Sequence, residues 1–96
     1  MERFEQQCNE IIARNGVAKQ KRKFVEECYE LMEAITEMQI APSRKNVEHI
    51  VEEMADCMVV WRQFAGYYGI DVNEIIDVAK KKAERTIMRM NNTINQ

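Results

Sequence analysis

Apolar residues recur every three to four positions along almost the whole chain, and the recurrence breaks only three times. Phe4, Cys8, Ile11 and Ile12 mark a first helix over residues 2–15, stopped by Asn15-Gly16. A second runs from residue 17 or 18 to about 38, with Phe24, Cys28, Leu31, Ile35 and Met38 on one stripe. The segment Ile40-Ala41-Pro42-Ser43 interrupts it: Pro42 cannot continue a helix, and Ser43 or Asn46 suits the cap of the next. A third helix, over about 47–68, is the most hydrophobic, its main face formed by Val47, Ile50, Val51, Met54, Met58, Trp61, Ala65 and Tyr68. Gly69 closes it. Asp71 caps a fourth over about 72–90, with Val72, Ile76, Ala79, Ala83 and Ile87 expected inward. Residues 91–96 carry no apolar period and read as a frayed tail. With no repeat, low-complexity tract or strand-like alternation, the pattern predicts an all-α fold. It is a four-helix bundle-like protomer in one domain spanning 1–96, with its core at about 18–90.

Composition adds an expectation about assembly. Ninety-six residues bury a modest fraction of their surface, yet 46% are hydrophobic and seven are Met, more apolar material than a small monomer readily hides. A helical-bundle oligomer is therefore expected. The net charge of −2 offers no global basic field, which argues against nucleic-acid or membrane partners. Basic residues concentrate instead in two runs, Lys19 to Lys23 and Lys80 to Arg89. Cys8, Cys28 and Cys57 form no CxxC pair, and the last two fall at apolar positions, as expected of reduced core thiols. No apolar run is long enough to span a bilayer, so the expected location is the cytoplasm.

The acids change the picture most. Glu27-Cys28-Tyr29-Glu30 and Glu53-Met54-Ala55-Asp56 each place two carboxylates at i, i+3 on one helix face. At about 100° per residue, Glu27 falls among Leu31, Ala34 and Met38, with Glu30 at the same margin. Glu53 falls among Cys57, Val60 and Phe64, and Asp56 beside Val60 and Tyr67. Glu26, Glu33, Glu37, Glu48 and Glu52 point away. One such acid would ordinarily pair with Lys or Arg across a helix interface. Four in two matched motifs are costly beside a core unless a cation neutralises them. All-carboxylate ligation suits a hard cation, Mg²⁺ or alternatively Mn²⁺. A di-iron site would need Glu-x-x-His, and the single histidine, His49, is preceded at that spacing by Asn46. His49 lies on the polar side of its helix and reads as a surface residue.

A basic complement accompanies the acids. Lys82, Arg85 and Arg89 stack along one edge of the fourth helix, and Lys23 lies within a turn of Glu27. Such groups clamp phosphate oxygens, or they salt-bridge the acids; spacing alone does not separate the two. Trp61, Tyr29, Tyr67 and Tyr68 offer surface for stacking a base, though aromatics at helical spacing more often serve a core or an oligomer contact.

Together these residues resemble the MazG-type nucleotide pyrophosphohydrolases, whose signature is E-x-x-E on one helix and E-x-x-D on the next. Here it stands as Glu26-Glu27-Cys28-Tyr29-Glu30-Leu31 and Glu52-Glu53-Met54-Ala55-Asp56, followed by Gly69-Ile70-Asp71 and the basic stretch from Lys82 to Arg85. The resemblance covers about residues 19–89. It implies hydrolysis of a nucleoside triphosphate to the monophosphate and pyrophosphate, in house-cleaning or control of the nucleotide pool. Glu27, Glu30, Glu53 and Asp56 would hold Mg²⁺ and activate water, while Lys23, Lys82, Arg85 and Arg89 would bind phosphate, in a homodimer or homotetramer. The phosphoribosyl-ATP pyrophosphohydrolases share the acids. They usually carry an aromatic-His pair after the second motif, where this chain has Val59-Val60-Trp61-Arg62. A non-catalytic oligomerisation or nucleotide-binding module is the alternative.

Overall fold

A computed structural model describes residues 2–94 of the chain. Those residues form four helices and no strand: α1 Arg3–Asn15, α2 Val17–Ile40, α3 Arg44–Tyr67 and α4 Val72–Ile94. The all-α expectation holds, and the boundaries follow from local chemistry. One residue, Gly16, separates α1 from α2 at φ +85, a conformation that favours glycine, and its N–H donates to Ile12 O at 2.8 Å. Of the two candidate caps between α2 and α3, Ser43 is the one used, and Asn46 lies inside α3. Ser43 Oγ accepts from the Asn46 N–H at 3.0 Å, and Asn46 Nδ2 donates back to Ala41 O at 2.8 Å. Capped this tightly, α3 begins at Arg44 rather than near residue 47, and α2 reaches Ile40. α4 continues to Ile94, so residues 91–94 are helical rather than frayed, and the rest of the expected tail, residues 95 and 96, lies outside the described residues.

The three-residue link turns α2 and α3 into an antiparallel hairpin, the most extensively packed pair, and α1 lies against α3. Cys8, Ile12, Ala34, Val60 and Ala65 are buried where these helices meet. Phe24 and Phe64 join α2 to α3 with ring centroids 6.5 Å apart. Arg62 fastens α3 to α1 through Glu5 at 3.2 Å. Gly66 lets α1 come close, since a Cβ there would collide with the Asn9 side chain. No described helix is long and apolar enough to cross a membrane.

Two expectations about packing are corrected. The predicted main face of α3 is buried only in part: Val47, Val51, Met54, Met58 and Tyr68 are exposed, Ile50 and Trp61 are half-buried and Ala65 is buried, while Glu53, Val60, Arg62 and Gln63, which lie off that face, are buried. The four-helix bundle-like protomer is realised as three packed helices plus an α4 that adds almost no contacts to them. Ile76 and Ile87, expected inward, are 43% and 55% exposed. The radius of gyration, 16.8 Å, exceeds the roughly 12–13 Å of a compact chain of this length, as a protruding helix requires. It is α1, not α4, that packs on α3 beside the α2–α3 hairpin.

Candidate metal centre

The antiparallel run of α2 and α3 sets the two motifs face to face in reversed order, so Glu27 meets Asp56 and Glu30 meets Glu53. One oxygen from each of Glu27, Glu30, Glu53 and Asp56 lies within 4.8 Å of the others. The two central acids are deep, with Glu27 4% and Glu53 9% exposed, while Glu30 and Asp56 sit at the open edge. The sequence placed the first motif's glutamate and the second's among apolar neighbours, and the structure buries both.

Crowding shows in the electrostatics. Glu30 is raised above the usual glutamate range, first by the Glu27 charge, then by desolvation and Glu53. Asp56 is raised first by partial desolvation, then by Glu27 and Glu53, against a lowering from Lys23. In protonated form Glu30 donates to Glu53 and Asp56 donates to Glu27. Each buried glutamate also has one basic side chain against its Oε1. Lys23 Nζ stands 2.9 Å from Glu27 Oε1, and His49 Nε2 stands 3.2 Å from Glu53 Oε1. Oε2 of Glu27 and Oε2 of Glu53 are buried with no hydrogen-bond partner. Buried carboxylate oxygens seldom stay unpaired. Four converging carboxylates, two of which keep a buried oxygen without a hydrogen-bond partner, are the donor set a hard divalent cation takes, so the residues present fit a metal.

A groove of about 690 Å³ opens beside Glu27 and Asp56, between α1, α2 and α3. Lys19, Arg22 and Lys23 line it, so part of the basic run from Lys19 to Lys23 belongs to the groove. A chain of amides also lines it: Asn15 Nδ2 donates to Gln20 Oε1 at 3.0 Å, and Gln20 Nε2 donates to Gln63 Oε1 at 2.8 Å. Gln20 and Gln63 are buried, and nothing in their spacing marked them. Lys82, Arg85 and Arg89 lie exposed on α4, which is not packed on the hairpin, so the single chain does not bring them to the acids. Tyr29, Tyr67 and Tyr68 are exposed, the last two in an edge-to-face pair with centroids 5.1 Å apart.

His49 departs from its reading as a surface residue. It is half-buried, with Glu53 on one ring nitrogen and Glu37 Oε2 3.6 Å from the other. The available signal was positional, a basic side chain four residues before the buried glutamate, as Lys23 is before Glu27. Cys28 and Cys57, each following a motif acid, meet through their thiols, and Cys57 is pushed up to about 11, by burial first and then by Cys28.

The family model of the MazG nucleotide pyrophosphohydrolase domain matches residues 16–89, which include both acidic motifs and most of α4. The chain belongs to the MazG family. No curated protein and no solved structure matches it. The match covers most of the chain in an all-helical setting, and MazG membership supports nucleotide pyrophosphohydrolase activity in general terms. The acidic cluster accords with the divalent-metal dependence typical of MazG domains.

Proposed function

We propose that this MazG domain is an Mg²⁺-dependent nucleoside triphosphate pyrophosphohydrolase, releasing pyrophosphate and a nucleoside monophosphate. The observation that carries the reading is the four-carboxylate cluster, with two buried, unpaired oxygens, beside a groove lined by Lys19, Arg22 and Lys23 and by Glu26, Glu27 and Asp56. Glu27 and Glu53 would hold the cation, with Glu30 and Asp56 completing the ligand set. When bound, the cation supplies charge neutralisation for the phosphates and Lewis acidity. Either exposed carboxylate, with its affinity for protons already raised, is suited to orient the attacking water and take its proton. Lys19, Arg22 and Lys23 offer cations to the phosphate chain, and the groove has room for a nucleoside. Mn²⁺ is expected to substitute for Mg²⁺.

The reading includes a homodimer or homotetramer. α4 has an apolar side with nothing on it, and α3 exposes Val47, Val51, Met54 and Met58. A second copy covering these faces allows Lys82, Arg85 and Arg89 to serve the site of a neighbouring subunit. Three free thiols suit a reducing cytoplasm.

The test is a panel of ribo- and deoxyribonucleoside triphosphates with Mg²⁺, read as pyrophosphate release. At least one is expected to be turned over by the wild-type protein and by neither Glu53→Gln nor Asp56→Asn, with helicity retained in both. No turnover anywhere on the panel overturns the catalytic reading and leaves a nucleotide-binding or assembly module.

A further inference from the structure

His49 is the only histidine, and it bridges α2 and α3 beside the acidic cluster without belonging to it. Its two ring nitrogens face two carboxylates: Nε2 lies 3.2 Å from Glu53 Oε1 and Nδ1 lies 3.6 Å from Glu37 Oε2. Glu37 comes from α2 and is exposed, whereas Glu53 comes from α3 and is almost entirely buried. The ring therefore cannot turn freely about its χ2 angle without giving up one contact.

The consequence falls on Glu53. With Oε1 engaged by the ring, the other oxygen is buried and has no hydrogen-bond partner. The same arrangement is repeated one helix away. Lys23, four residues before Glu27, engages Oε1 and leaves Oε2 buried and unpaired. Both deep acids thus have one oxygen tethered by a basic side chain a turn earlier and one left for a cation.

We propose that His49, braced by Glu37, is a positioning residue that fixes the carboxylate of Glu53 for divalent-cation binding. The proposal rests on the metal reading above. Groups that orient metal-ligating side chains typically change metal affinity by 10–100-fold when removed, without touching the ion. His49 touches neither cation nor substrate in this account; it acts through Glu53.

The experiment measures Mn²⁺ affinity directly, from the free-Mn²⁺ paramagnetic resonance signal without nucleotide. It compares the full-length protein with His49→Ala, His49→Gln, Glu37→Gln and Glu53→Gln. Wild type is expected to bind, Glu53→Gln to lose binding, and His49→Ala to weaken it by about 10–100-fold. His49→Gln, whose amide can donate from a similar reach, is expected to recover most of that loss. Glu37→Gln should shift affinity in the same direction by less. Metal-free melting temperatures accompany each variant, because a merely structural histidine would move melting without the graded recovery of affinity. Mn²⁺ bound by wild type and equally or more tightly by His49→Ala overturns the proposal alone. So does a His49→Gln variant no better than His49→Ala. Failure of wild type to bind Mn²⁺ overturns the metal reading and this proposal together.

Discussion

Neutralising Glu27 should stabilise the metal-free protein while removing its response to metal. Glu27 and Glu53 are both buried, and their ligand oxygens lie within 4.8 Å of each other. At an effective dielectric of about 20, two ionised carboxylates at that separation repel by about 3 kcal/mol. Glu27→Gln removes this repulsion and the charge that most raises Glu30. It also removes the partner of Lys23, whose side chain is 52% exposed, so that loss is held to about 1 kcal/mol by solvent screening. Residual strain in seating the Gln amide lowers the remainder, giving a net gain of about 1.5 kcal/mol. For a domain of this size that is a rise in melting temperature of about 6–12 °C. The assay is a thermal melt followed by circular dichroism at one fixed protein concentration, in EDTA and in Mg²⁺. Wild type in EDTA should melt below Glu27→Gln. Saturating Mg²⁺ at about 100 times its Kd should raise wild type by the equivalent of about 2.7 kcal/mol and leave the variant unmoved. A variant that melts below wild type in EDTA, or that gains as much from Mg²⁺, refutes the electrostatic account of the cluster.

Three further outcomes follow from the same geometry. Glu30 and Asp56 bind protons more readily folded than unfolded, so their contribution is full below the ordinary values of 4.5 and 3.8 and is lost as pH rises through the raised folded values. In EDTA the melting temperature should therefore fall across that window as pH rises, less so in Mg²⁺; a rise over the same window would contradict the crowding. Cys57, pushed up to about 11, should be alkylated by iodoacetamide in the native protein at pH 8 far more slowly than in urea, as peptide mass mapping would show. If α4 serves a neighbouring subunit, mixing inactive Glu53→Gln with inactive Arg85→Ala after co-refolding should restore part of the activity, because some mixed assemblies hold one intact site. Activity that stays at the level of the separate variants would place α4 on its own chain's site.

The helices and the four acids were legible because both depend on local spacing. Period 3.6 fixes which residues share a face, and Glu27, Glu30, Glu53 and Asp56 stand out by intruding on apolar surface. Spacing also gave Ser43 and Gly69 as boundaries, since capping is decided within a turn. It failed in part on α3, where much of the most apolar stripe stays exposed while Glu53 and Gln63, which lie off it, are buried. Periodicity ranks faces by hydrophobicity and cannot say which face meets the same chain. It failed likewise on His49, which projects to the polar side of its own helix and gains its meaning from Glu37 on another.

By itself, then, the sequence determined an all-α chain, its breaks, and a carboxylate set whose spacing on two helices suits a hard cation. These are properties of single helices, governed by backbone geometry and capping. Only tertiary structure decided that α2 and α3 run antiparallel, so that the motifs interleave within 4.8 Å with two oxygens buried and unpaired. Only it decided that Lys19 and Arg22 line a groove, that Gln20 and Gln63 lie buried beside it, and that α4 stands off the bundle. The reason is that burial is a relation between elements: a residue's own helix fixes its direction, but what it meets depends on the packing partner.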